Sequence, residues 1–168
     1  PRSFLPVGPL AGQPFPAKYG YVGISVENDA VVMEGINEAG LGVGLFYFPQ
    51  YGEYQPYDPQ KKEQSVSDMQ LAAWILSSFA SINELQAAMP QIRVIATDPR
   101  ASTVHWRITE SSGRQVVLEI VNQHVHFYEN PLGVLTNSPD FGWHLTNLNN
   151  YVNLSAGSIN HRQVGRLN

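Results

Sequence analysis

The chain has 168 residues, a formal charge of −4, five histidines and no cysteine. This length suits one compact domain or an incomplete piece of a larger one. The acidic balance argues against nucleic-acid binding, which requires a basic stripe. The longest apolar runs fall far short of the ~20 residues that a membrane-spanning helix needs, so we expect no membrane insertion. Without cysteine, the chain itself holds no disulfide, thiolate metal site or cysteine nucleophile.

The first half of the chain combines a proline-rich arm with strands. Residues 1–18 contain five prolines, which lack the N–H group that a sheet needs, and predict an extended surface arm. No charged-then-apolar leader opens the sequence, and the working expectation is a cytoplasmic protein. Three strands are predicted next from their β-branched and aromatic content: Tyr19–Val26, Ala30–Met33 and Leu41–Phe48. The last of them is apolar on both faces, which indicates a strand buried in a layered fold.

Two helices and then more strands follow. Ser67 is a candidate cap for a helix ending at Phe79, and the Ser81-Ile82-Asn83-Glu84 run matches a capping box for a short helix ending at Met89. Four further strands are predicted, with turns at Ser112-Gly113 and Asn122-Gln123 between the first three: Thr103–Thr109, Gln115–Val121, His124–Tyr128 and Gly133–Thr136. Ser138-Pro139 then predicts the start of a helix that runs towards Tyr151. Clustered strands and clustered helices are typical of an α+β fold with antiparallel sheets.

Three groups of histidines allow chemistry but have simpler interpretations. His124 and His126 share one face of a strand, yet no third metal ligand lies at a matched spacing, and a solvated hairpin explains them better. His105 could act as a base, although a strand histidine with a local partner is the more economical interpretation. Asp140 and His144 are four residues apart on the last predicted helix and could form a dyad, with a surface pair as the simpler alternative.

Two features favour a binding or catalytic site. The segment from Tyr47 to Tyr54 carries three tyrosines at the end of a buried strand, and such a loop could line a pocket for an aromatic or steroid-like group. Asn137 lies where a strand meets a helix cap. Its amide could donate to an oxyanion, or it could simply cap the helix that follows. The residues by themselves leave these alternatives open.

Several segments resemble one enzyme family over nearly the whole chain. Residues 34–41 are similar to the D-G-(M/I/V)-N-E-x-G-L motif of the choloylglycine hydrolases, with Glu34 in place of the commoner Asp. Leu45–Pro49, followed by Tyr51, resembles the strand end and the loop after it. The run from Gly133 to Tyr151 is similar to the long motif G-V-(L/M)-T-N-S-P-x-F-x-W-H-x-T-N-L-x-x-Y. The family contains the penicillin V acylases and the conjugated bile salt hydrolases.

The resemblance implies an Ntn hydrolase fold, a four-layer αββα sandwich of antiparallel sheets of which residues 1–168 would form an internal fragment. It implies hydrolysis of a non-peptide amide C–N bond by a bacterial enzyme without a cofactor or metal. The family nucleophile is an N-terminal cysteine that would lie outside this chain, with its own α-amine as the base. The resemblance also implies a homo-oligomer, for which a tetramer is the expected form. The rival hypothesis is a catalytically silent sandwich that binds amphipathic ligands or serves only in assembly.

The family's site residues carry over at two positions. Asn137 matches the residue whose side-chain amide contributes to the oxyanion hole, and Tyr47 matches the position whose backbone N–H is the second donor. We expect Tyr47, Phe48, Tyr51 and Tyr54 to contact the substrate, which would be a phenoxyacetyl-type amide or a conjugated bile acid. Bile salt hydrolases commonly carry Asn where this chain has Tyr47, so the sequence favours the aromatic acyl group.

Overall fold

The computed structural model describes residues 17–26, 31–96, 98 and 101–154. The predicted arm over 1–18 lies outside the described residues, apart from its last two positions. In chain order the strands and helices are β1 (Tyr21–Ser25), β2 (Val32–Asn37), β3 (Gly42–Tyr47), β4 (Ser65–Ser67), α1 (Asp68–Ser78), α2 (Ile82–Ala88), β5 (Arg93–Ile95), β6 (Val104–Thr109), β7 (Gln115–Val121), β8 (His124–Glu129) and α3 (Phe141–Leu148). Short 3-10 helices occupy Pro59–Gln64 and Met89–Gln91.

The main sheet has six strands in the order β1-β2-β3-β6-β7-β8, and each neighbouring pair is antiparallel. The turn between β7 and β8 uses Asn122 and Gln123 at φ values of 49° and 66°, as the favoured two-residue hairpin requires. Gly113, at φ 89°, closes the turn between β6 and β7. Both turns are confirmed. The α+β class with an antiparallel sheet is confirmed as well.

Helix α1 packs across β2 and β3 and supplies the centre of the core. Its N-cap is Ser67, whose hydroxyl accepts from the Met69 N–H at 3.3 Å, as predicted. Leu71, Ile75 and Leu76 are fully buried. The helix approaches β2 so closely that a Cβ on Gly35 would lie 2.8 Å from Leu76 Cδ1, and the neighbouring strand β1 would bring the Val22 carbonyl oxygen to 2.7 Å from the same Cβ. Only glycine fits at this crossing.

The second helix begins with the predicted capping box, in a modified form. The Glu84 N–H donates to Ser81 Oγ at 3.2 Å, and the Glu84 carboxylate reaches back to the Ala80 N–H at 3.0 Å, one residue before the cap. The N–H of Ile82, the first residue of the helix, donates to Glu110 Oε2 at 2.9 Å. That bond ties the start of α2 to the end of β6.

The structure corrects the predictions at four places. The second strand continues to Asn37, beyond the predicted Ala30–Met33. Residues 133–136 form no strand, because the Asn130 side chain bonds both the N–H and the carbonyl of Val134 at 3.1 Å and turns the backbone away from β8. The last helix starts after Asp140, whose carboxylate accepts from the Trp143 N–H, and not after Ser138. The parallel pair formed by β4 and β5 was missed, since three-residue strands are too short to show a period of two.

The two faces of the main sheet differ. One face is covered by α1 and α2 around the core. On the other, Phe141 of α3 packs against Tyr128 at the β8 end, with the ring centroids 5.8 Å apart. At the β1–β2 end of the same face, Val22, Ile24 and Ile36 are 71%, 67% and 51% exposed. Within the described ranges, no helix has the length and apolar character that crossing a bilayer requires.

Candidate active site

The end of β3 brings Tyr47 and Asn137 together, although ninety residues separate them. Strand β2 pairs only with residues 42–44 of β3, so the Tyr47 backbone extends beyond it. Residues 137 and 138 bond there instead: the Tyr47 N–H donates to Asn137 Oδ1 at 2.8 Å, and the Ser138 N–H donates to the Tyr47 carbonyl at 2.8 Å. Ser138 Oγ also donates to the Pro49 carbonyl at 3.0 Å. The segment is therefore attached to the strand end by both Asn137 and Ser138.

The Asn137 amide has a defined orientation at this edge. Because its Oδ1 faces the Tyr47 N–H, the Nδ2 group points away, and it donates to no group in the part of the chain that the structure describes. Asn137 itself is exposed. The amide can therefore offer two free hydrogens to a ligand. A ligand oxygen that displaced Oδ1 from the Tyr47 N–H would meet donors from both residues.

A buried, hydrogen-bonded histidine–glutamate pair lies beneath this segment. His105 on β6 and Glu119 on β7 are 0% and 1% exposed, and Nδ1 lies 3.0 Å from Glu119 Oε1. The other ring nitrogen, Nε2, lies 2.8 Å from the Thr136 carbonyl oxygen. Glu119 Oε1 also accepts from the Phe141 N–H at 2.9 Å. The prediction that His105 has a local partner is confirmed.

His144 and Asp140 do not form the surface pair that was the simpler prediction. His144 is buried, and its Nε2 lies 2.9 Å from the Asn137 carbonyl oxygen. Asp140 is the N-cap of α3. His144 therefore holds the backbone of Asn137, which the i,i+4 spacing did not indicate. The longer-range bond depends on the irregular path of residues 137–140, for which the sequence carries no periodic signal.

The predicted aromatic contacts divide into two groups. Tyr47 and Tyr51 are 54% and 40% exposed, so their rings are open to a ligand. Phe48 is fully buried between Tyr51 and His105, with centroids 5.6 Å and 4.3 Å away. Tyr54 is also buried: its hydroxyl donates to the Val104 carbonyl and accepts the Val104 N–H, and burial raises its pKa far above the usual range. The structure therefore supports direct contact only for the first two.

His124 and His126 lie apart from this edge. His124 Nδ1 lies 2.6 Å from the Asn122 carbonyl oxygen, and the His126 ring stacks on Tyr128 with centroids 6.1 Å apart. Among the described residues, no group of three or more His, Cys, Asp or Glu side chains is placed to hold a metal ion.

Comparisons with known proteins identify relatives of the chain. The chain is 30% identical to a bile salt hydrolase/transferase of Clostridium perfringens, over 98% of this chain and 52% of the relative. It is 29% identical to a penicillin V acylase of Pectobacterium atrosepticum, over 85% of this chain and 40% of the relative. The chain thus spans about half the length of these curated relatives.

Solved structures show the same relationship. The crystal structure of a variant of conjugated bile acid hydrolase from Clostridium perfringens superposes with a TM-score of 0.75 at 29% identity, covering 92% of this chain and 48% of that one. Penicillin V acylase from Agrobacterium tumefaciens gives a TM-score of 0.67 at 26% identity, covering 89% and 44%. A family profile described as linear amide C–N hydrolases, choloylglycine hydrolase family, matches residues 7–168. The chain belongs to the choloylglycine hydrolase family of linear amide C–N hydrolases.

Proposed function

We propose that the chain supplies the oxyanion-stabilising part of an enzyme that hydrolyses a linear amide. The contact between the Tyr47 N–H and Asn137 Oδ1 carries this proposal, because it places a backbone donor and a side-chain amide at one exposed edge. Two such donors are what an oxyanion needs as it forms on an amide carbonyl. Family membership supports the same chemistry.

In the proposed reaction, the thiolate of an N-terminal cysteine outside residues 1–168 attacks the carbonyl carbon. The electron pair of the C=O bond moves onto oxygen, which takes the place of Asn137 Oδ1 at the Tyr47 N–H. The Asn137 amide turns so that Nδ2 donates to the same oxygen. The intermediate then collapses, the C–N bond breaks, and the α-ammonium of the cysteine gives a proton to the leaving amine. Water hydrolyses the thioester that remains.

The first test is the substitution Asn137→Ala in the whole protein. The loss of one oxyanion donor is expected to lower kcat about 10²–10³-fold, with a much smaller change in KM. Asn149→Ala is the matched control, because Asn149 is exposed at the end of α3 and its side chain has no bond among the described residues. An unchanged kcat for Asn137→Ala would contradict the proposal. If the whole protein bound amphipathic ligands without turnover, the silent-sandwich hypothesis would replace it.

The proposed substrate is an amide of a compact aromatic acid, such as a phenoxyacetyl group. The exposed rings of Tyr47 and Tyr51 support this choice, since offset stacking contributes ~0.5–1.5 kcal/mol beyond area burial. The relatives include both a bile salt hydrolase and a penicillin V acylase, so they do not decide the acyl group.

Paired kcat/KM measurements on penicillin V and glycocholate test this choice. Tyr47→Asn is expected to lower kcat/KM for penicillin V several-fold relative to kcat/KM for glycocholate, because a flat ring that can stack on the acyl group is lost. Tyr47→Phe is the control that keeps the ring and removes only the hydroxyl, and it should retain the preference. A wild-type preference for glycocholate that Tyr47→Asn leaves unmoved would show that this position does not set the choice.

The whole protein is also proposed to be a homo-oligomer, a tetramer as the resemblance implies. Light scattering during size-exclusion chromatography measures this directly, and a monomeric mass would overturn it.

A further inference from the structure

The buried pair formed by His105 and Glu119 connects the main sheet to both ends of the segment that carries Asn137. Its His105 end bonds the carbonyl of Thr136, the residue immediately before Asn137, and its Glu119 end bonds the N–H of Phe141, the first residue of α3. The intervening residues are attached to the strand end by Tyr47 and Pro49. The two ends of the segment, Thr136 and Phe141, thus bond the buried pair, and the residues between them bond the end of β3.

The hydrogen-bond partners determine where the protons of the pair lie. Nε2 of His105 faces a carbonyl, which only accepts, so Nε2 carries a hydrogen. Oε1 of Glu119 accepts a hydrogen bond from the Phe141 N–H, so any proton on Oε1 cannot point towards Phe141. One proton must then lie between Nδ1 and Oε1, on either atom, and the pair is neutral overall. A buried pair that is neutral and fully bonded can keep a single arrangement.

The side chains around the pair restrict its movement further. The Phe48 ring stacks on the His105 imidazole with an angle of 12° between their planes, and Phe46 meets the same ring edge-on at 6.2 Å. His105 therefore has little freedom to follow a moving loop. Its bond to the Thr136 carbonyl fixes the distance of Thr136 from the sheet. The residue after Thr136 is Asn137, the proposed donor.

We propose that His105 and Glu119 are positioning residues that place the Asn137 amide for oxyanion binding. The inference rests on the proposed function, because it assigns the pair a task in that same site. A donor in the wrong place loses most of its effect, and a displacement of 1 Å can cost about 10²-fold in rate. The pair itself does not touch the substrate, because both side chains are buried.

Two substitutions of similar size test the two hydrogen bonds of His105 one at a time. His105→Gln keeps a donor that can reach the Thr136 carbonyl, whereas His105→Asn is shorter and keeps only a group that can face Glu119. In the whole protein we expect His105→Asn to lower kcat 10–100-fold with KM changed less than threefold. His105→Gln should keep kcat within about fivefold of the wild type. If histidine only fills space, the two variants will behave alike, and that result would overturn the proposal.

Glu119→Gln tests the carboxylate separately. The atom that faces the Phe141 N–H must remain an oxygen, so His105 would have to be protonated on both nitrogens with no negative partner. We expect kcat to fall at least as far as in His105→Asn. The alkylation rate of the catalytic thiol by iodoacetamide needs no oxyanion hole and should stay within twofold of the wild type. If the alkylation rate of the thiol fell in parallel with kcat, the substitution would have disturbed the whole active site, and this would count against a positioning role.

A double substitution distinguishes this inference from the proposed function. If His105 acts through Asn137, then adding His105→Asn to Asn137→Ala should lower kcat by less than threefold more. Multiplicative losses would overturn the positioning role while leaving the oxyanion role of Asn137 intact. If Asn137→Ala alone had no effect, the proposed function would fail first, and the positioning role would fail with it.

Discussion

Asn37 shows how one polar side chain can organise a junction. It is buried at the end of β2, and its Nδ2 donates to the carbonyls of Leu76 and Phe79 at 2.8 and 2.7 Å, where α1 ends. Its Oδ1 accepts the N–H groups of Ala39 and Leu41. The asparagine of the 34–41 motif therefore serves both as a helix C-terminal cap and as the organiser of the turn into β3. Its role in the described structure is architectural.

Asn37→Ala is expected to destabilise the whole protein by about 2–4 kcal/mol, since it leaves buried carbonyl and N–H groups without partners. Asn37→Asp provides a sharper comparison. It keeps the acceptor for the turn, loses both donors to α1 and buries a charge, so it should be at least as destabilising. Urea unfolding at neutral pH measures both. If Asn37→Asp were as stable as the wild type, the bonds to α1 would contribute little.

At the scale of elements, the contact between α1 and β2 depends on a single missing side chain. Gly35→Ala would place a Cβ within 2.8 Å of both the Leu76 side chain and the Val22 carbonyl, and a backbone atom cannot yield. We expect a loss of ~1–3 kcal/mol in unfolding free energy. Gly20→Ala is the control, because its Cβ would meet only the end of the Glu38 side chain at 3.5 Å. Equal melting temperatures for the two variants would contradict this account.

The elements also show what the sequence could and could not predict. Ser67, Ser81 and the turn residues Asn122 and Gln123 carry local signals, because a cap or a hairpin turn involves neighbours in sequence. The start of α3 was misplaced because Ser138 has the right chemistry but is committed to the strand end, where it bonds Pro49. The helix begins only at the next polar side chain that is free to cap it.

The candidate site was less accessible to sequence reasoning. The pairing of Asn137 with Tyr47 was predicted only through the family motifs, since no local pattern reports a contact across ninety residues. Phe48 was placed with the exposed tyrosines because the predicted strand is apolar on both faces, which hides its alternation. Tyr54 was placed with them because its bonds to Val104, fifty residues away, leave no local signal. The roles of Glu119 and His144 depend on tertiary bonds to backbone atoms, and such bonds leave no spacing in the sequence.

At the scale of the whole molecule, the apolar strip on the face opposite α1 requires a cover. Val22, Ile24 and Ile36 are all more than half exposed there, and the chain spans about half the length of its relatives. The predicted second antiparallel sheet of the sandwich would bury this strip. Ile24→Asp in the whole protein is then expected to cost ~3 kcal/mol or more, because it leaves an unpaired buried charge.

Ile24→Val is the matched control and should cost less than ~1.5 kcal/mol. Thermal unfolding followed by circular dichroism compares the two. A melting temperature for Ile24→Asp close to that of the wild type would show that this face stays in water in the whole protein.

The position of Trp143 gives the site an optical reporter. Of the three tryptophans, Trp74 and Trp106 are buried in the core, whereas Trp143 is 47% exposed and meets the His144 ring edge-on at 5.7 Å. Iodide in solution should therefore quench Trp143 selectively among the three. Since His144 bonds the Asn137 carbonyl, we expect the emission of Trp143 to change when the loop of the proposed donor rearranges. Stopped-flow fluorescence would then time that rearrangement against turnover without any added dye.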